Sequence, residues 1–383
     1  MPERVCLHIG VAKTGTKTLQ LAMALNGNLL RQHGFVYPEL PGRHHVGLAL
    51  YAANESTSAR LRARIGLADG DRMAEFVGEF PSRLAAAVTS ADIHTAILSN
   101  EHCSSELSTV EAISRLHALL SPLAREIRVI VYLRRQDDLA ISLYSASVQA
   151  GSTNEFQFSD GHFWFDYSRL LDMWAEVFGQ DNLVIRIFEP AQMHRGGLLC
   201  DFSFAIGFEP HDRLQHPPDQ NKSLDIRTLE FLRRFNAHAP LLVAGRPNLS
   251  RGEIDQALAA ISTRDRMAPS AEAGTEFLGR YAASNAQVAG KYLNRADRAL
   301  FIEQPSRGRP GRVPALDLDK AVEIAAKIWE WQEVRFRRHE QMSKVTMLYE
   351  ATPSVPGCSN RSGLPPLDGA RRNVRNQMRF GRQ

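Results

Sequence analysis

Residues 4–20 read Arg-Val-Cys-Leu-His-Ile-Gly-Val-Ala-Lys-Thr-Gly-Thr-Lys-Thr-Leu-Gln. The apolar run from Val5 to Ile9 predicts a buried strand, and Gly10 ends it. A polar loop, 13–18, comes next, and the residues from Leu19 to Leu30 predict a helix. A strand, a small glycine-containing loop and a helix together bind phosphate well, because the loop N–H groups and the helix N-terminus both present positive charge.

The side chains of this loop suit an anion. Lys13 supplies a full positive charge, and the hydroxyls of Thr14, Thr16 and Thr18 add donors without bulk. We therefore interpret the loop as a phosphate-binding site.

The glycine spacing also allows a second interpretation, a loop that binds nucleoside triphosphates. Gly10 and Gly15 have the spacing of a Walker A motif, Gly-x4-Gly-Lys-Ser/Thr. Thr16, however, stands where that motif needs its lysine, and Lys17 comes one residue late. The match to Walker A is therefore imperfect.

Composition indicates a globular protein with a disordered end. The chain has 383 residues, 44% hydrophobic and 23% charged, and a formal net charge of +4. The 29 residues from Val355 carry six arginines and one acid, a net +5, which leaves the body near −1. This balance argues against a nucleic-acid-binding body and predicts a disordered basic tail over 351–383.

The four cysteines are scattered and form no Cys-x-x-Cys pair, so the sequence predicts neither a zinc site nor a disulfide framework. Neither a signal peptide nor an apolar run of membrane-spanning length is recognisable. We expect a soluble cytoplasmic protein.

Strands alternate with helices along the first half of the chain, which predicts an α/β fold with a mainly parallel sheet. Residues 39–93 are predicted as a helical insertion, and residues 221–350 as a helical subregion with no sixth strand. We expect one domain over residues 1–350. The predicted strands are Val5–Ile9, Phe35–Tyr37, His94–Leu98, Ile127–Leu133 and Asn182–Phe188.

Ligands of such sheets bind beyond the carboxyl ends of the strands. Three segments rich in reactive side chains fall there: Lys13–Thr18, Ser99–His102 and Arg134–Ser142. We expect them to converge on one site.

The loop resembles the 5'-phosphosulfate loop of sulfotransferases, Pro-Lys-Thr/Ser-Gly-Thr-Thr, in which the lysine precedes the glycine. Ala12 replaces the proline, and Lys17 replaces the second threonine. Arg134 and Ser142, eight residues apart, resemble the arginine and serine that hold the 3'-phosphate of the nucleotide in cytosolic sulfotransferases. An arginine fork and a hydroxyl suit a phosphate.

The chain thus resembles a bacterial sulfotransferase of the P-loop-like superfamily, most specifically at residues 8–20 and 130–151. The resemblance implies a P-loop-like three-layer fold and 3'-phosphoadenosine 5'-phosphosulfate (PAPS) as donor, without a metal. Cytosolic relatives stack a tryptophan on adenine at the position of Thr18. Its absence brings the chain closer to the carbohydrate-sulfating and Golgi-like branch, so the implied acceptor is a carbohydrate or another small molecule.

The resemblance also implies roles. Lys13 is predicted to stabilise the leaving 5'-phosphate, while Thr14, Gly15, Thr16, Lys17, Thr18, Arg134 and Ser142 join it in binding the nucleotide. Glu101, in a Ser-x-Glu pattern after the third strand, is our choice for the base that deprotonates the acceptor. His102, His44 and His45 stay open as alternatives.

Two other functions remain open. One is a P-loop kinase or NTPase using ATP, which would need a strand ending in an aspartate for magnesium. The other is a non-catalytic nucleotide-binding protein. A cluster of aromatic residues could wall an acceptor pocket, but we interpret it as core; its members are Phe156, Phe158, Phe163, Trp164, Phe165 and Tyr167.

Overall fold

The computed structural model assigns the backbone of most of the chain. The described residues up to Ile328 form one compact unit, and those from Trp329 to Ala351 belong to a second. The described residues are 1–40, 44–90, 92–159, 162–209, 211–218, 224–243, 246–263, 265, 267–268, 270–302 and 316–351.

A five-stranded parallel sheet organises the first unit, in the order β2-β3-β1-β4-β5. Its central strand β1 pairs Cys6 with Ile97 on one side and with Arg128 on the other. The strands are β1 Arg4–His8, β2 Phe35–Val36, β3 Thr95–Ser99, β4 Glu126–Leu133 and β5 Leu183–Ile187.

Helices connect and flank the strands. In the first half they are α1 Thr16–Leu25, α2 Gly27–Gln32, α3 Val46–Ala52, α4 Glu55–Arg64, α5 Gly70–Val88, α6 His102–Glu106, α7 Val110–Leu120, α8 Gln136–Gln149, α9 Tyr167–Phe178 and α10 Leu198–Ile206. In the second half they are α11 Ile226–His238, α12 Ile254–Ile261, α13 Ala271–Gly279, α14 Ala282–Leu293 and α15 Leu318–Ala351.

The sheet buries both faces, because alternate residues of each strand enter different cores. Val5 and Leu7 of β1 pack into a core shared with α3, α5, α7, α9 and α14. Cys6, between them, enters the opposite core, which α1, α2 and α10 cover. This is a three-layer α/β arrangement, and the predicted P-loop-like fold class is confirmed.

The predicted helical insertion over 39–93 is confirmed by α3, α4 and α5. The predicted helix from Leu19 to Leu30 is wrong in its limits. The helix begins at Thr16, and the chain bends at Asn26 between α1 and α2. The Asn26 side chain explains the bend, since its amide donates to Ala22 O at 2.7 Å and to Gln215 O at 2.9 Å.

Two further differences concern short elements. Residues 163–165 form a 3₁₀ turn before α9, which Asp166 caps by accepting from the Arg169 N–H at 3.1 Å. In the helical half, β6 Leu242–Val243 pairs antiparallel with β7 Arg246–Pro247. No clear sixth strand was expected in this largely helical half, and strands of two residues leave no alternating pattern in the sequence.

The aromatic cluster contributes to the core, as predicted. Trp164, Phe165 and Tyr167 are buried, and Phe158 stacks on Phe277 with ring centroids 4.3 Å apart. The tail predicted over 351–383 lies outside the described residues from residue 352 onward, so its disorder and the extent of the domain stay predictions.

One charge is completely buried between the sheet and α10. The carboxylate of Asp201 is 0% exposed and accepts hydrogen bonds from the Tyr132 hydroxyl at 2.7 Å, from Arg186 through two nitrogens, and from the His194 N–H at 2.6 Å. Asp201 thereby ties β4 and β5 to α10.

Removing the cation from this cluster should be strongly destabilising. We expect Arg186→Met to lower the free energy of unfolding by about 3–5 kcal/mol, because Asp201 would remain buried without its counter-ion. Chemical denaturation measures the loss. The matched control is Arg83→Met, which breaks an exposed pair with Glu79 and should cost less than about 1 kcal/mol. Equal losses in the two variants would contradict the assignment.

Candidate functional site

The loop between β1 and α1 has the backbone of an anion-binding site. Lys13 has a positive φ of 66°, and Gly15 has a φ of 80°. A side chain at Gly15 would collide with Leu198, because an added Cβ would lie 2.3 Å from Leu198 Cδ2. Left-handed residues in a turn direct successive N–H groups inward, so this backbone can cradle an anion in front of α1.

The predicted loop hydroxyls differ in their surroundings. Thr14 is buried, and its hydroxyl donates to Val11 O at 2.6 Å, so the donor that Thr14 can offer an anion is its backbone N–H. Thr16 is also buried, but its Oγ1 has no hydrogen-bond partner among the described residues. Lys17 is exposed, and Thr18 is half-buried.

Positive charge is concentrated around Lys13. Burial lowers the pKa of Lys13 from its usual value, and the charges of Lys17 and then Arg134 lower it further. The Arg134 guanidinium donates to Lys13 O at 2.8 Å, which brings the end of β4 against the loop. Both charges acting on Lys13 are positive, so an anion bound here would relieve a repulsion.

The segment after β4 is held from several sides. The Tyr167 hydroxyl donates to Arg134 O, and the Arg134 guanidinium lies over the Phe188 ring, 5.7 Å from its centroid. Arg135 is buried against Asp137, with Nε and Oδ1 2.7 Å apart. Ser142 lies half-buried on α8, and the described contacts do not join its side chain to the loop.

Glu101 follows β3 directly and precedes α6. Its Oε2 accepts from Gln20 Nε2 at 3.2 Å. The Ser104 hydroxyl bridges the two segments by contacting both Gly10 O and Glu101 O. Glu101 is half-buried, so it is fixed close to the loop and still accessible.

Two of the alternative histidines have structural partners. His45 is buried, accepts from the Ser99 N–H at 3.0 Å and donates to Pro38 O at 2.8 Å, so both ring nitrogens are occupied. His102 contacts Arg64 through Nε2 at 3.2 Å and lies 3.8 Å from Glu106 through Nδ1. His44 lies directly before His45, and its carbonyl oxygen accepts from Asn100 Nδ2 at 2.7 Å.

His8 was not among the predicted site residues. It ends β1, is fully buried, and contacts Ser99 Oγ through Nδ1 at 2.8 Å. Its Nε2 has no partner among the described residues, and a Cβ added at Gly10 would lie 3.4 Å from that nitrogen. The sequence signal that could have identified His8 is a histidine inside an apolar strand directly before the loop.

The described residues contain no group of three or more potential metal-ligating side chains. None of the described helices is long and apolar enough to cross a membrane.

Comparisons with known proteins are distant. No protein-family model matches the sequence. An uncharacterized protein of Archaeoglobus fulgidus is 28% identical over 112 residues, which span 28% of this chain and only 30% of the relative. A crystal structure of a sulfotransferase from Alicyclobacillus acidocaldarius matches with a TM-score of 0.32 and 15% identity, over 57% of this chain and 87% of that one. The function therefore has to be inferred from the residues of this chain.

The two buried histidines should make stability depend on pH. Burial lowers the pKa of both His8 and His45 from 6.5 to about 4. Between these values the unfolded chain binds protons that the folded chain does not, so stability is lost as the pH falls from about 7 towards 4. From pH 7 to pH 5, each histidine should contribute about 1–2 kcal/mol to the loss.

His45→Asn tests this expectation, because asparagine can still accept from the Ser99 N–H. Denaturation at pH 7 and pH 5 should show a smaller pH-dependent loss in the variant than in the wild type, by about 1–2 kcal/mol. An identical pH dependence in the two proteins would mean that His45 has the same pKa in the folded and the unfolded chain.

Proposed function

We propose that this protein is a sulfotransferase that moves a sulfuryl group from PAPS to a hydroxyl or amine of an acceptor, which we infer to be a carbohydrate or glycoconjugate. The observation that carries the proposal is the hydrogen bond from Arg134 to Lys13 O. It joins the two segments that the sequence assigns to opposite ends of the nucleotide.

The residues present fit such a donor. Its 5'-phosphosulfate is an anion, and the loop offers left-handed backbone at Lys13 and Gly15. Thr16 adds a buried hydroxyl without a partner among the described residues. Arg134 and Ser142 are assigned to the 3'-phosphate, for which a planar guanidinium and a hydroxyl are well suited.

When bound, PAPS supplies the sulfuryl group and leaves as 3'-phosphoadenosine 5'-phosphate. Lys13 stabilises the negative charge that develops on the 5'-phosphate oxygen as the bond from that oxygen to sulfur breaks. Glu101 takes the proton from the acceptor while the acceptor oxygen or nitrogen bonds to sulfur. The remaining contribution of the chain is positioning, which is the main source of rate in this type of displacement.

The principal alternative is a kinase or NTPase that uses ATP with magnesium. β4 ends in Leu133 and continues with Arg134 and Arg135, where that alternative needs an aspartate. Asp137, further on, is buried against Arg135. A nucleotide-binding experiment separates the two functions.

Nucleotide binding should protect the protein from thermal unfolding. We expect 3'-phosphoadenosine 5'-phosphate without metal to raise the melting temperature more than ATP with magnesium. A ligand at 100 times its Kd adds about 2.7 kcal/mol of stability. Lys13→Ala should fold normally and lose this protection, whereas the exposed Lys327→Ala should keep it.

Arg134→Ala is a second variant for the thermal-unfolding measurement. It should weaken binding of 3'-phosphoadenosine 5'-phosphate by about 2–4 kcal/mol and scarcely affect a nucleotide without the 3'-phosphate. Protection by ATP with magnesium alone would replace the proposal with the kinase or NTPase alternative.

The base assignment is tested separately. Glu101→Gln keeps the size of the side chain and should slow single-turnover sulfuryl transfer by about 10²–10⁴-fold without weakening nucleotide binding. The comparison variants are His102→Gln and His44→Gln, which should retain the rate. Full activity of Glu101→Gln together with an inactive histidine variant would transfer the role to that histidine. Nucleotide binding with no transfer in any acceptor screen would favour a non-catalytic protein.

A further inference from the structure

The main chain of Arg134 is anchored by a side chain from α9. The Tyr167 hydroxyl donates to Arg134 O, 33 residues earlier in the chain, and Tyr167 is 0% exposed. Burial raises the pKa of Tyr167, so its hydroxyl keeps the proton that it donates to this carbonyl. The carbonyl of Arg134 therefore cannot move without breaking a hydrogen bond from a buried donor, which is costly.

The first residue of α8, two positions after Arg134, is held by α14. Gln136 is completely buried. Its Nε2 donates to Asn285 Oδ1 at 2.7 Å, and Asn285 Nδ2 donates back to Gln136 Oε1 at 3.1 Å. Gln136 Nε2 also donates to Phe165 O at 3.3 Å. Two amides that exchange hydrogen bonds satisfy each other's donor and acceptor, so the pair fixes the start of α8 in one orientation.

The first turn of α14 also anchors the segment that carries Tyr167. The Ser284 hydroxyl donates to Asp166 Oδ1 at 2.7 Å and accepts from the Ser168 N–H at 2.9 Å. Asp166 and Ser168 are the neighbours of Tyr167 in the chain. The start of α14 therefore reaches the end of β4 by two routes, one through α9 and one through α8.

We propose that Tyr167 and the Gln136–Asn285 pair are positioning residues that fix Arg134 for the 3'-phosphate of a nucleotide. The inference rests on the proposed function, which assigns that phosphate to Arg134. Through these contacts, α14 acts on nucleotide recognition from the second half of the chain.

The position of the Arg134 main chain matters because the side chain is long and flexible. A guanidinium reaches one place reproducibly only when both ends of its side chain are fixed. The outer end of Arg134 donates to Lys13 O at 2.8 Å and lies over the Phe188 ring. The inner end follows directly after β4, which ends at Leu133. Because a planar fork recognises phosphate by direction as well as by distance, a displaced main chain should weaken the hold on the 3'-phosphate.

Tyr167→Phe tests the proposal, because it removes the donor and keeps the ring. The intact chain is titrated calorimetrically with 3'-phosphoadenosine 5'-phosphate and with adenosine 5'-phosphate, which lacks only the 3'-phosphate. The ratio of the two Kd values measures the preference for the 3'-phosphate, and a general loss of stability does not change it. We expect this preference to fall about fivefold in Tyr167→Phe, the effect of one lost hydrogen bond.

The matched control is Tyr292→Phe. Tyr292 belongs to α14, and its hydroxyl also bonds across the contact with α9, where it donates to Asp172 Oδ1 at 2.6 Å. This hydrogen bond involves neither β4 nor Arg134. Tyr292→Phe should therefore keep the wild-type preference, whatever its melting temperature.

Asn285→Ala is the second variant, and it decides the matter if Tyr167→Phe does not fold. It withdraws both amide contacts from Gln136 and leaves the contact of Tyr167 with Arg134 in place. We expect the preference for the 3'-phosphate to fall about threefold.

The outcomes separate this inference from the proposed function. The wild-type preference in either folded variant would overturn the positioning role of the residue replaced, and an equal fall in Tyr292→Phe would overturn both roles. A wild-type protein that binds the two nucleotides equally, or binds neither, would instead overturn the proposed function and this inference with it.

Discussion

The contacts around the loop depend on positive charges that lie close together at the carboxyl end of β1. Lys13 lies in the loop before α1, Lys17 in the first turn of α1 and Arg134 directly after β4. The charges of Lys17 and Arg134 lower the pKa of Lys13. Like charges at close range repel, and solvent screens this repulsion most at an exposed group such as Lys17. Fixed contacts are therefore needed to keep these groups near one another. The contact of Arg134 with Lys13 O and the anchoring of its own carbonyl by Tyr167 provide that hold.

Beneath the loop, polar residues replace the apolar packing that a sheet end would otherwise have. His8, Gln20 and Ser99 are all buried and share hydrogen bonds. Such a network is costly if any member loses its partner, so it fixes the relative position of β1, β3 and α1. The side chain of Glu101 acquires its direction from this network, which links the core of the protein to its proposed chemistry.

The sequence predicted most of the sheet because the strands are apolar runs with clear ends. The boundaries between loops and helices were harder to predict. Thr16 begins α1 without a side-chain cap, so no capping pattern marks the start. His8 illustrates a different limit. Its hydrogen bond is with Ser99, 91 residues away, and only the parallel pairing of β1 with β3 brings the two side chains together. Gln20 escaped prediction for the same reason, since its contact with Glu101, 81 residues away, forms only when α1 and β3 are in place.

The outer edge of the sheet has a consequence for the behaviour of the protein at high concentration. β2 contains only Phe35 and Val36, and Pro38, which lacks a backbone donor, follows two residues later. An edge this short offers another chain almost no backbone to extend by intermolecular pairing. The same shortness leaves the space beside the strand free. A single truncated strand thus limits backbone pairing at this edge of the sheet and leaves the space beside it open.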